Sequence, residues 1–264
     1  MKQAFQYVIL LLVVLVSACG PSDEDKARTK LEQAKLLLQK QDTTRALLKL
    51  DSIPKLYPEA VYSANAAKNL ASDVRFELLQ QKEDELDTLQ TLIAEMEKGF
   101  VKEKTEFDRY VQYIHKRQTF KRAWDRSYIQ IHLDERGELY LSSNYHGEHW
   151  LNHTGLRVYD SGDDARTETI SIGSPDNHRS DFMEAKWEKV SYRNGKDNGV
   201  IEFIAKHVDR NLKAVFLGDE YYYIILETYD KEAVKAALQL SKAIKKRKKL
   251  ESEIKTLERQ LNIQ

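Results

Sequence analysis

Apolar positions along the chain fall into three regimes. Tyr7 to Val16 is an unbroken apolar run behind Lys2. From Lys26 to about Arg117 apolar residues recur at helical spacing: Leu31, Ala34, Leu37 and Leu38 make one stripe, and Ala46, Leu47, Leu50 and Ile53 make a second. Between them Asp42-Thr43-Thr44 offers N-cap oxygens, and Pro58 suits the first turn of a third helix. Past residue 76 the period becomes seven, through Leu79, Leu86, Leu89, Ile93, Met96, Phe100, Phe107, Tyr110 and Ile114. The same period returns at the end of the chain in Ala233, Ala236, Leu240, Ala243, Leu250, Ile254, Leu257 and Leu261. These seams run roughly 50 and 42 Å, so two helices of similar length, 77–117 and 231–264, are expected to return along each other as an antiparallel coiled coil.

Residues 118–230 follow another rule. All three Trp and most of the Gly lie here, and apolar residues alternate over 127–133 and 138–143 around the turn Asp134-Glu135-Arg136-Gly137, a hairpin signal. Further strands are expected at 156–159, 167–172, 185–192, 200–208, 213–217 and 221–229, punctuated by Asn194-Gly195, Asn198-Gly199 and Gly218-Asp219. The predicted fold class is α+β: a helical base (26–76), an antiparallel coiled-coil stalk (77–117 with 231–264) and an inserted antiparallel β-sandwich-like head (118–230).

Charge refines the stalk. Helix 77–117 is net negative and 231–264 net positive, and with residue x facing about residue 350 − x the polar seam positions Glu103 and Arg247 would pair and set the register. Over the whole chain 42 basic residues balance 42 acidic ones, which removes any global attraction to nucleic acid. The single Cys excludes an internal disulfide and a Cys-based zinc site. No cofactor is expected beyond a covalent lipid, for the following reason.

The first 19 residues have the basic start, short apolar core and small residues of a secretory signal, and the apolar run is too short to span a bilayer. Val16-Ser17-Ala18-Cys19 resembles the lipobox of bacterial lipoproteins, which implies cleavage after residue 18 and lipidation of Cys19, whose several chains would anchor the protein stably. Gly20, in place of the Asp of an inner-membrane retention signal, implies the outer membrane. Ser22-Asp23-Glu24-Asp25 completes an acidic tether, 19–25, that resembles the surface-export signal of some Gram-negative lipoproteins; it also suits a helix first turn. Leu31, Ala34, Ala46-Leu47, Tyr57-Pro58, Ala64 and Ala67 resemble a tetratricopeptide hairpin plus one helix, less than a stable solenoid.

Candidate chemistry concentrates at Tyr145 to His153. His146, Glu148, His149 and His153 could supply metal ligands and a base, but the spacing is not H-E-x-x-H, and along one strand His149 and His153 would stand roughly 13 Å apart. Surface or core histidines are the favoured reading, with no metal. Trp150, Trp187 and Tyr221-Tyr222-Tyr223 offer rings for stacking on sugar, although alternation in 221–229 predicts that most of these rings are core. The basic run Lys242 to Lys249 suits a solvated helix face or an anionic partner. No G-x-S-x-G elbow or other catalytic motif appears. The expected function is therefore a non-catalytic outer-membrane or surface lipoprotein whose head binds a protein or envelope-glycan partner. The alternative is a carbohydrate-binding or metal-dependent hydrolytic head using residues 145–153.

Overall fold

The structure is a computed structural model that describes residues 21–106, 108–118, 126–182 and 184–263. Cys19 and the lipobox-like segment lie outside the described residues. The protein is α+β, with five described helices and two antiparallel sheets, in two compact units: residues 1–84 with 252–264, and residues 85–251.

The described residues of the first unit are helical. α1 (Asp23–Gln39) opens on a capping box, in which Ser22 Oγ accepts from Asp25 N at 3.2 Å while the Asp25 carboxylate accepts from Ser22 N. The acidic stretch thus satisfies the first turn of a helix. α2 (Thr43–Leu56) is capped by Asp42, whose carboxylate accepts from Arg45 N. α3 (Val61–Glu97) enters the same core with Ala60, Ala64, Ala67 and Ala71, small residues that let it approach Leu31, Ala34, Leu50 and Ile53 closely. Burial of Leu50 and Ile53 contributes about 1.5–3 kcal/mol each. The end of α5 (Thr228–Leu261) belongs to this unit, where Arg75 Nε donates to Gln260 and Lys82 pairs with Glu253.

In the second unit six strands form one sheet in the order β1-β2-β3-β4-β8-β7 and four form another in the order β10-β9-β5-β6. They are β1 (Phe100–Glu103), β2 (Gln112–His115), β3 (Tyr128–Asp134), β4 (Leu139–Gly147), β5 (Gly155–Tyr159), β6 (Asp164–Arg166), β7 (Asn177–Phe182), β8 (Ala185–Tyr192), β9 (Lys213–Leu217) and β10 (Tyr221–Ile225). Every pairing is antiparallel. Alternate residues of β3, β4 and β8 (Ile131, Leu133, Leu141, Val190, Tyr192) meet Leu156, Val158, Ala214 and Phe216 of the other sheet in one core. α4 (Val200–Lys206) and the α5 residues Ala233, Val234, Ala237, Leu240 and Ile244 complete it.

Three expectations are corrected. The helix expected over 77–117 stops at Glu97: after Lys98-Gly99, Phe100 begins β1, with Phe100 opposite His115 and Glu103 opposite Gln112. Glycine is a poor helix residue, and Phe100, Tyr110 and Ile114 mimic a heptad only by their spacing; Phe107 lies outside the described residues. Glu103 is therefore a strand residue, while Arg247 on α5 lies 3.5 Å from Glu251, so the expected register pair does not form. Within the first unit α3 and α5 run antiparallel, Arg75 meeting Gln260 and Lys82 meeting Glu253, but shifted by about four turns from the expected register. Second, 200–208 is helical, with Val200, Ile201 and Ile204 buried at positions i, i+1 and i+4. Third, 167–172 carries no strand, although Ile170 is core, and β10 ends at Ile225 so that α5 begins at Thr228.

Candidate functional site

The 145–153 segment scatters its reactive groups. β4 ends at Gly147, and Glu148 and His149 stand exposed on the turn beyond it, where the His149 carbonyl accepts from Tyr145 OH at 3.1 Å. His146 lies on the outer face of the six-stranded sheet, its ring 4.4 Å from that of the cross-strand Trp187. Trp150 is flanked by Arg179 and Lys186, each 5.4 Å from its ring centre. His153 is wholly buried. Among the described residues no three His, Cys, Asp or Glu side chains are grouped to hold a metal ion.

His153 instead centres a network on the core side of the sheet. Its Nδ1 is 2.7 Å from Glu188 Oε2 and its Nε2 2.9 Å from Ser143 Oγ, which also contacts Tyr192 OH at 2.9 Å. Glu188 accepts two backbone donors as well, Asn152 N and His153 N, both at 2.8 Å. Gly218 lets the 151–153 loop approach β9, since a Cβ there would stand 2.0 Å from the Leu151 carbonyl oxygen. Burial works to raise the Glu188 carboxyl's pKa, but the hydrogen bonds from His153 and the two backbone amides outweigh it and hold it below the ordinary value. Serine, histidine and carboxylate follow the order of a nucleophile, base and orienting acid. Yet Ser143, His153 and Glu188 are at most 1% exposed and Phe216 stacks on the imidazole, so a substrate has no route to the hydroxyl. The array holds the core together.

A different constellation is open to solvent. On the outer face of the same sheet a cleft of about 550 Å³ is lined by His132, Tyr140, Lys189 and Arg193, with Arg136 and Tyr110 at its rim. Strand register builds it: His132 on β3 lies opposite Tyr140 on β4, and their rings stack at 4.4 Å with 4° between planes. Arg193 lies 3.9 Å over the Tyr140 ring, donates to Tyr140 OH at 2.8 Å and pairs with Asp176 at 3.2 Å. Arg136 covers Tyr110 at 3.8 Å and is held by Asp134, whose carboxylate also accepts from Arg136 N and Glu138 N. Burial, and then the charges of Lys189 and Arg193, lower the His132 imidazole to about 3, so it is neutral and its Nε2 bonds Ser142 Oγ at 2.9 Å. Burial and Arg193 likewise lower the Lys189 ammonium.

Other sequence features settle more simply. Asp160 folds the 159–164 turn by accepting from Gly162 N and Asp163 N and pairs with Arg210. The basic run on α5 is partly paired, through Lys246–Glu85, Lys245–Glu138 and Lys248 Nζ on the Arg136 carbonyl. The expectation that most of the tyrosines of 221–223 are core is reversed: Tyr222 meets Tyr145 and Phe216, while Tyr221 and Tyr223 are 65% and 56% exposed. The cleft was not legible in the sequence because its residues come from three separated segments with no local motif. Ser143 and Glu188 carried a signal, as polar residues at core-parity positions beside Leu141, Tyr145 and Val190. Comparison of the chain with protein-family models, with curated proteins and with solved structures found no match.

Proposed function

We propose that the protein is a non-catalytic lipoprotein, anchored in the outer membrane through Cys19 and surface-exported by its acidic start, whose β unit binds a protein or envelope-glycan partner. The anchor rests on the lipobox-like Val16-Ser17-Ala18-Cys19, and the coiled-coil pairing of α3 with α5 would carry the β unit as a stalk. The observation that supports binding most strongly is β10. This edge strand of the four-stranded sheet exposes Tyr221, Tyr223 and Ile225 on one face, with Ile225 at 68%. Other described sheet edges carry charge: Lys102 and Glu103 on β1, Asp164 and Arg166 on β6, Arg179 and Asp181 on β7. Charge on an edge protects it from unwanted pairing, and β10, Tyr-Tyr-Tyr-Ile-Ile, has none. The sealed state of the Ser143–His153–Glu188 array supports a role without catalysis.

A photo-crosslinking residue placed at Tyr223 in intact cells tests the reading. The expected result is a discrete adduct with an envelope component, lost on Ile225→Asp and absent when the same residue replaces exposed Asp181. Equal labelling from both positions, or none from Tyr223, would overturn it.

A further inference from the structure

We infer that the cleft formed by His132, Tyr140, Lys189 and Arg193 is a binding site for an oxyanion, the carboxylate or phosphate group of a small ligand, with Lys189 as its counter-charge. Most charges around the cleft are already matched. Among the carboxylates lining the cleft, Asp134 is taken by Arg136 and two backbone amides, and Asp108 by Thr105 Oγ and N at 2.6 and 3.0 Å. Glu138 faces Lys245 at 3.8 Å. Arg193 has Asp176 and Tyr140 OH. Lys189 has neither an acceptor nor a carboxylate partner among the described residues. It projects from β8 on the face that carries Trp187, Ser191 and Arg193, opposite Asn144 of β4 and His178 of β7.

A partly desolvated ammonium beside a second cation is an arrangement that folding alone disfavours, because burying charge without a partner is costly. An oxyanion entering the cleft supplies the missing partner and is attracted by Arg193 as well. His132, through its Nε2 contact with Ser142 Oγ, holds the cleft wall in place. The same geometry argues against the two other ligand classes raised by the sequence. A neutral sugar needs a free ring face, but Tyr140 is occupied by His132 and Arg193, and Tyr110 is covered by Arg136. A metal cation would meet Lys189 and Arg193 directly. The cleft lies on the six-stranded sheet and β10 on the four-stranded one, so the inference stands or falls independently of the partner surface proposed above.

The test is calorimetric titration of the full chain in detergent with inorganic phosphate, with glucuronate and with neutral glucose, at pH 7 and constant ionic strength. The expected result is saturable one-to-one binding of at least one anion, no binding of glucose, and a rise in Tm with the bound anion. Binding of glucuronate alone assigns the site to carboxylates, and of phosphate alone to phosphate groups. Lys189→Met should weaken binding at least about tenfold, whereas Lys213→Met, on an exposed β9 position, should not. Tm of unliganded Lys189→Met should equal or exceed that of the parent, since an unpaired cation is removed. No saturable binding below about 10 mM, or equal affinity in Lys189→Met, would overturn the site. So would a lowered Tm of unliganded Lys189→Met, since the lysine would then be serving the fold.

Discussion

Glu188→Ala is the substitution on which the account of the β unit bears most heavily. In the folded protein this carboxylate, 1% exposed, accepts from Asn152 N, His153 N and His153 Nδ1. Alanine leaves all three donors facing a cavity inside the core. One unsatisfied buried donor costs about 1–3 kcal/mol. Because the loop can relax and the terms do not add, the expected loss is about 3–5 kcal/mol, below the full sum over three donors. Glu188→Gln keeps one acceptor oxygen but turns an amide toward a donor, so its loss should be smaller, about 2 kcal/mol. The carboxyl's depressed pKa adds a pH signature. Its contribution is fully present above the unfolded-state value, about 4.3, and is lost as pH falls through the lower folded-state value. Glu188→Gln should flatten that part of the acid limb. Urea unfolding followed by tryptophan fluorescence reads this unit, since every Trp lies within residues 85–251. A loss below about 1 kcal/mol in Glu188→Ala, or an unchanged acid limb in Glu188→Gln, would refute the reasoning.

Two further outcomes follow from local geometry. His132 titrates at about 3 in the folded protein, below its ordinary value near 6.5, so the unfolded chain binds the proton more readily. Stability should therefore fall as pH drops from about 6.5 toward 3, and His132→Gln should remove that slope in the same urea titration, while an unchanged slope would contradict the burial of the imidazole. Gly218→Ala should cost about 1–3 kcal/mol and shift the thermal midpoint of the β unit downward, because its Cβ meets the Leu151 carbonyl rather than a movable side chain; a neutral effect would mean that the 151–153 loop is not pinned there.

The legible parts of the fold are those where period and punctuation agree. β3, β4, β5, β8 and β9 alternate between turn residues, and the helical base carries caps at Ser22 and Asp42, so all were expected within a few residues. Failures occurred where a short apolar stretch fits two periods. Phe100, Tyr110 and Ile114 sit at heptad spacing, yet 100–103 and 112–115 are strands, and Val200-Ile201-Glu202-Phe203-Ile204 alternates poorly enough to be a helix. Glu103 lies in β1, so the stalk register that depends on its pairing with Arg247 does not hold. His153 stands out in the sequence as a reactive residue, but its partners Ser143 and Glu188 lie on separate strands and only register brings them to it. Lys189 and Arg193 have no pattern of their own, and the value of their position appears only when β3, β4 and β8 are laid side by side.

The central claim, a lipid-anchored binding protein, is tested most directly by labelling cells that express the full chain with radioactive palmitate and then separating their membranes. The account predicts label on the protein in the outer-membrane fraction, and its loss together with release of the chain from membranes in Cys19→Ala. Label retained in Cys19→Ala, or an unlabelled parent chain free of membranes, would contradict it.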